Sequence, residues 1–286
     1  MIGEPLDSEK IIRKIPFLIK SQKNERLEWT KAADAIRTTD TYAKYHSEIV
    51  SKKDSLFING IAKGSGMIQP NMATMLSFIF TNTDILNKKV ELGFKEIIDK
   101  TFNSISVDGD TSTSDMVLLF SVNNKKLVTK PKEIQKKFLE KLELLMTTLS
   151  HLIVKDGEGA SKFITVEVLE AKNDEDARTV ARSIINSPLI KTAMAGSDSN
   201  WGRIIMAIGK TDAQILPEKI SLSFGKYLII DKGSKFISKN VLKINKYLKK
   251  SEIKINISLG LGRGNTKMWT CDLTKDYISI NADYRS

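Results

Sequence analysis

An α+β fold is what the sequence predicts, and three observations predict it. Helix-like and strand-like stretches are intermixed along the chain without a regular βαβ rhythm, which favours α+β or layered sandwich packing over a doubly wound sheet. No internal repeat or low-complexity linker interrupts them. At 286 residues, with 41% hydrophobic and 28% charged residues, the chain has the composition of an ordinary globular protein and the length to bury a substantial core.

The elements can be justified in order. With Asp7 as N-cap, residues 10–20 place Ile11, Ile12, Ile15 and Leu18 at helical spacing, although Pro16 should kink or shorten that helix. A second helix fits 27–36 and a short strand fits 55–61, followed by a glycine-rich turn at 63–66. The apolar run 75–80 suits a strand buried on both faces. Helices fit 88–102 and 132–152 with a strand at 116–122 between them, then a strand at 163–169 and a helix at 174–186. A β-rich tail is expected from Ile220 through 253–259 to 269–280, interrupted by a lysine-rich helix at 240–248. Glycines 157 and 159 punctuate the pattern and allow a boundary near 159–163.

Composition excludes several function classes. No run approaches the length of a membrane-spanning helix, and residues 1–10 lack the basic-then-apolar order of a signal peptide, so a cytoplasmic location is expected. A single cysteine, Cys271, permits no intramolecular disulfide, and its place near Trp269 fits a small buried hydrophobe better than a nucleophile. The net charge of +11 invites a nucleic-acid partner. Of the 45 basic residues, however, only 8 are arginines, and aromatics do not interleave with them; a solvated lysine face is the simpler reading, with no nucleic acid and no membrane partner.

Familiar catalytic patterns fail on spacing. Gly209, Lys210 and Thr211 end like a phosphate loop, but Ile204 stands where its first glycine belongs. Glycines 260, 262 and 264 precede a β-like segment rather than opening a helix. The two histidines, His46 and His151, neighbour no cysteine, no metal-type spacing is present, and His151 reads as a helix-terminus residue. What remains are runs of small polar residues and glycines at 38–41, 63–67, 71–74, 107–113, 156–159 and 195–203. Each alone reads as a turn or a cap. Together they suit a Thr or Ser nucleophile activated by something other than imidazole.

Those runs resemble, in order and over essentially the whole chain, the bifunctional ornithine acetyltransferase/glutamate N-acetyltransferase family. The likeness is most specific over 60–76 and extends through 107–113, 156–159, 187–203 and the terminal stretch containing Trp269, Tyr277, Asn281 and Ser286. The resemblance implies a layered α/β/β/α sandwich of the self-cleaving amidase-like acyltransferase type, with a smaller C-terminal α/β domain. It implies self-cleavage between Ala73 and Thr74, after which Thr74 is the nucleophile and its freed α-amine the base. The implied division is 1–73, 74–160 carrying the nucleophile, and 161–286 carrying the terminal binding residues. The implied reaction passes acetyl from N-acetylornithine, with acetyl-CoA as a further donor, to glutamate without a cofactor. The implied assembly is a heterotetramer of two α and two β chains.

Substrate-binding roles carry over to Thr38 (with Thr39 one step away as the alternative), Lys63, Thr74, Glu158, Asn281 and Ser286. The family's Thr-Gly oxyanion pair falls just before the segment that opens this chain, so a shortened front is expected, and with it low activity unless an upstream piece is supplied. A self-processing aminopeptidase of related fold, or an inactive or split-enzyme subunit, stands as the alternative.

Overall fold

The computed structural model describes residues 5–23, 25–69, 75–84, 87–125, 131–235 and 241–283. The chain opens with three helices, α1 (Ser8–Ile12), α2 (Ile15–Lys20) and α3 (Arg26–Ala35). The single helix expected over 10–20 is two short ones. Pro16 has no amide proton and its ring crowds the preceding turn, so it is accommodated only in the first turn of a new helix, and the chain breaks at Arg13 and Lys14. Neither piece buries a residue.

Strands β1 (Lys44–Ser51), β2 (Leu56–Lys63) and β3 (Leu76–Thr83) follow as an antiparallel meander. After α4 (Lys88–Lys100) and the short β4 (Ile105–Ser106), strand β5 (Met116–Lys125) returns parallel to β3 and completes a four-stranded sheet ordered β1-β2-β3-β5. Strand β3 was expected to be buried on both faces. Instead Ser77, Ile79 and Thr81 are buried while Leu76, Phe78 and Phe80 are half covered; Trp29 of α3 meets Phe80 at 5.3 Å and Phe120 of β5 stacks beside it at 5.0 Å between ring centres.

The 25-residue helix α5 (Pro131–Lys155) lies against β1 and β2. Ile134, Phe138, Leu142, Leu145, Met146, Leu149 and Ile153 recur at helical spacing, and all are buried in the first of two cores. Each fully buried side chain of this size contributes about 1.5–3 kcal/mol relative to exposure.

The second half builds β6 (Phe163–Ala171), helices α6 (Asp174–Ile185), α7 (Pro188–Ala195) and α8 (Trp201–Gly209), and strands β7 (Ser221–Phe224), β8 (Tyr227–Asp231) and β9 (Ser234–Lys235). Helix α9 (Val241–Leu248), strands β10 (Glu252–Ser258) and β11 (Gly264–Cys271) and helix α10 (Lys275–Asp283) complete it. The second sheet is ordered β4-β11-β6-β10-β7-β8-β9, and α6 packs on β6 and β11 over the second core. The α+β class read from the sequence is the class adopted: two sheets with helices laid on them. Among the described residues no helix is long and apolar enough to cross a membrane.

Three local expectations change. Helices α7 and α8 flank and partly overlap the run 195–203 read as turns, in a stretch for which no helix was expected; Ser187 caps the first, with Pro188 in its opening turn. The tail is strand only to Cys271 and then becomes α10, whose start is marked by the Thr274 hydroxyl accepting the Asp276 amide at 3.1 Å. Lysines are not all solvated: Lys44, Lys63, Lys162 and Lys191 are buried. Lys162 is held by the Met194 carbonyl and by the Ser197 hydroxyl at 2.8 Å, where a cation meets the C-terminal end of α7.

His151 lies inside α5 rather than at its end, edge-on to Phe163 and Trp269 at 5.0 and 4.6 Å between ring centres. Burial, aided by the Lys155 charge, pulls its pKa from the ordinary 6.5 to about 4, and its enclosed Nε2 has no hydrogen-bond partner among the described residues. Below pH 6.5 the unfolded chain takes up this proton and the folded chain does not. Stability is therefore complete above 6.5 and is lost as the pH falls towards 4. The His151→Phe variant should show a smaller drop in thermal midpoint between pH 7 and pH 5 than the unsubstituted chain, followed by circular dichroism.

Candidate active site

The end of β2 and the turn after it are held by three carboxylates from distant parts of the chain. Gly64 adopts φ +145°, a region L residues rarely enter, and its amide donates to Asp40 Oδ1 at 2.7 Å. The Met67 and Ile68 amides donate to the two oxygens of Asp108 at 2.6 and 3.0 Å. Beyond the segment 70–74, the Met75 amide donates to Asp115 Oδ1 at 2.9 Å, and the Met75 carbonyl accepts the Met116 amide at 3.1 Å. The single loop 107–116 thus grips the chain on both sides of 70–74.

Behind the turn lies a buried ion cluster. Lys44 Nζ, fully enclosed, contacts Asp40 Oδ1 at 2.6 Å and Asp156 Oδ2 at 2.5 Å, and Asp156 also accepts the amide and hydroxyl of Thr41. Burial pushes Asp40 upward, but the Gly64 amide and Lys44 outweigh it and hold the carboxyl below its ordinary range. Lys63, buried at the end of β2, has its pKa lowered by burial, while the Asp40 and Asp115 charges resist that fall.

The structure brings several of the expected residues to this turn. Lys63 Nζ donates to Thr38 Oγ1 at 3.4 Å, whereas Thr39 shares a hydroxyl contact of 2.6 Å with Ser65. The Glu158 amide donates to the Ser65 carbonyl at 2.9 Å. A methyl group on Gly66 would come within 2.6 Å of the Glu158 carboxylate, so any larger residue there would push that side chain aside. Asn281 Nδ2 donates to Glu158 Oε2 at 2.7 Å. Helical spacing sets Tyr277 on the same face of α10, its hydroxyl 3.3 Å from Asp108 Oδ2. Burial, then the Asp108 charge, pushes the Tyr277 hydroxyl up. Ala73, Thr74 and Ser286 lie outside the described residues.

Sequence reasoning passed over Asp40, Asp108, Asp115 and Lys44. The three carboxylates carry no signal of their own, because a side chain that binds backbone amides 24 to 41 residues away looks like any turn aspartate, although Asp40 and Asp108 sat within polar runs. Cys271 is buried with its thiol pushed up by burial, in keeping with a core residue rather than a nucleophile. Among the described residues no group of His, Cys, Asp or Glu is arranged to hold a metal ion.

Taken with its relatives, this layered α+β protein is an enzyme of the acyltransferase class. The chain belongs to the ArgJ family, whose sequence model matches residues 1–286. It is 45% identical over 289 residues to a Ruegeria pomeroyi protein named arginine biosynthesis bifunctional protein ArgJ, covering all of this chain and 69% of that one. A Mesorhizobium japonicum protein of the same name is 42% identical over 293 residues, with 100% of this chain and 70% of the relative covered. The solved structure of arginine biosynthesis bifunctional protein ArgJ from Bacillus halodurans matches with a TM-score of 0.68 at 39% identity, over 74% of this chain and 100% of the solved one.

Proposed function

We propose that the chain acts in arginine biosynthesis, cutting itself between Ala73 and Thr74 and then moving acetyl from N-acetylornithine to glutamate through an ester on Thr74. The observation that carries this reading is the grip of loop 107–116 on both sides of 70–74, with Lys63 paired opposite Leu76 in the sheet, two residues beyond Thr74.

In the cut, Thr74 Oγ attacks the Ala73 carbonyl carbon, the Ala73–Thr74 C–N bond breaks, and the hydroxyl proton ends on the Thr74 nitrogen. Water then hydrolyses the ester and releases the Ala73 carboxylate. In transfer, the free amine takes the hydroxyl proton as Oγ attacks the acetyl carbonyl and returns it to the departing ornithine amine. The α-amine of glutamate then takes the acetyl group from Thr74. Lys63 pairs with a substrate carboxylate, with Thr38 beside it. Glu158 binds the substrate's amino end, oriented by Asn281, and Ser286 completes the pocket. Acetyl-CoA serves as a second donor, and two copies of each fragment, 1–73 and 74–286, form the assembly, the latter continuing from the nucleophile part 74–160 into 161–286.

The purified chain should yield a fragment whose N-terminal sequencing begins at Thr74, and acetyl should appear on that residue by mass spectrometry after mixing with N-acetylornithine. An intact chain with full transferase activity would overturn the mechanism. Peptide hydrolysis without transfer to glutamate would favour an aminopeptidase. Transfer only after adding the unmatched part of the Ruegeria relative would assign the activity to the pair.

A further inference from the structure

An α-amino acid carries its carboxylate and its amine on one carbon, so the group that takes the amine must lie beside the group that takes the carboxylate. Lys63, buried at the end of β2 with its ammonium 3.4 Å from Thr38 Oγ1, is the side chain assigned above to the carboxylate. Two carboxylates act on it by charge, Asp40 and Asp115. Asp40 is already occupied, because Oδ1 takes the Lys44 ammonium and the Gly64 amide and Oδ2 takes the Thr38 amide at 3.2 Å. Asp115, half-buried immediately before β5, is occupied on one oxygen. Its Oδ1 accepts the Met75 amide at 2.9 Å, while Oδ2 is enclosed and has no hydrogen-bond partner among the described residues. An enclosed carboxylate oxygen without a donor is costly, and a ligand that brings the donor recovers that cost. The sheet brings the two residues together: Leu76 pairs with Lys63 on one side and with Met116, the residue after Asp115, on the other.

We infer that Asp115 Oδ2 is the acceptor for the α-nitrogen of the amino-acid substrate and forms, with Lys63, a two-charge cradle for its α-carbon. This rests on the reading of Lys63 given above. The amide N–H of N-acetylornithine and the ammonium of ornithine or glutamate each bring the missing donor. Ornithine has a second amine at the end of its side chain, and Glu158, lying against Gly66 and held by Asn281, serves that one. Two amines thus meet two acids. The charged groups around the cradle are Asp40 from the 38–41 turn and Lys44 on β1. Burial pushes Asp115 up to about 6, with the Met75 amide and Lys63 holding it back, so its charge is present above that pH and lost below it.

The test is equilibrium binding, by titration calorimetry on the purified full chain, of ornithine and of 5-aminopentanoate, which is ornithine without its α-amine. Ornithine should bind about tenfold more tightly at pH 7. Asp115→Asn retains an acceptor for the Met75 amide and removes the charge. It should bring the two ligands within about twofold of each other while leaving the affinity for 5-aminopentanoate unchanged. Asp115→Glu should recover part of the preference. In the unsubstituted chain the preference should shrink between pH 7 and pH 5, as Asp115 takes a proton. A preference that survives in Asp115→Asn would overturn the inference. So would equal binding of the two ligands by the unsubstituted chain, or, should the variant not fold, a preference unchanged at pH 5. Failure of the underlying reading is distinguishable: neither ligand then binds, or Lys63→Met, which removes the partner of the carboxylate, weakens neither.

Discussion

Thr74→Ala is expected to leave the chain as a single uncut polypeptide and to reduce acetyl transfer to background, a loss of roughly 10⁴-fold or more. Alanine offers no oxygen for either step. Thr74→Ser keeps a primary hydroxyl and should retain part of both reactions. Cutting is scored by gel and by N-terminal sequencing, and transfer by formation of N-acetylglutamate from N-acetylornithine. The informative comparison is with Thr38→Ala and Ser65→Ala. If either of these lost all activity while Thr74→Ala kept it, the nucleophile would not be Thr74.

Lys44→Met should produce the largest loss of stability among single changes at the site, about 3–5 kcal/mol by denaturant unfolding. The methionine fills most of the volume but leaves Asp40 and Asp156 facing each other, buried and without their cation. Asp40 is also the acceptor for the Gly64 amide, so relief of that repulsion would loosen the turn that carries Lys63. The pH dependence has a definite sign. Loss of Lys44 removes a force that holds Asp40 ionised, so the variant's deficit should shrink as the pH falls and one of the two carboxyls takes a proton. A deficit that grew on acidification would show that the cluster is not held together by charge.

The long elements were legible because periodicity is a property of the elements themselves. Helix α5 repeats its apolar positions over six turns, and α6 opens on an Asn173 cap followed by three acidic residues. Helix α10 was not, because Tyr277, Ile278, Ser279 and Ile280 alternate apolar and polar character only in part, and the docking of one face on Glu158 and Asp108 decides the outcome. Strand β1 was hidden for a related reason: Lys44, His46 and Glu48 break its apolar pattern, and each finds a partner on another element or a neighbour in the strand. The proposed binding residues Lys63, Glu158 and Asn281 emerged through resemblance, whereas Asp115 lies two residues beyond the polar run that marked its loop. Its importance comes from a hydrogen bond to residue 75, and such a partnership becomes visible only in three dimensions.

The strands on either side of residues 70–74 are neighbours in one sheet, with β2 and β3 paired from Ile58 and Thr81 to Lys63 and Leu76. Lys44 and Thr41, before that segment, are bound to Asp156, after it, and α5 covers β1 and β2. A backbone cut at 73–74 would therefore leave two polypeptides that interlock and stay together without a covalent link. Their separation would require denaturant, and their reassembly would become a second-order process. An uncut Thr74→Ala chain should regain its structure at a rate independent of protein concentration, while the cut form should slow in proportion as it is diluted.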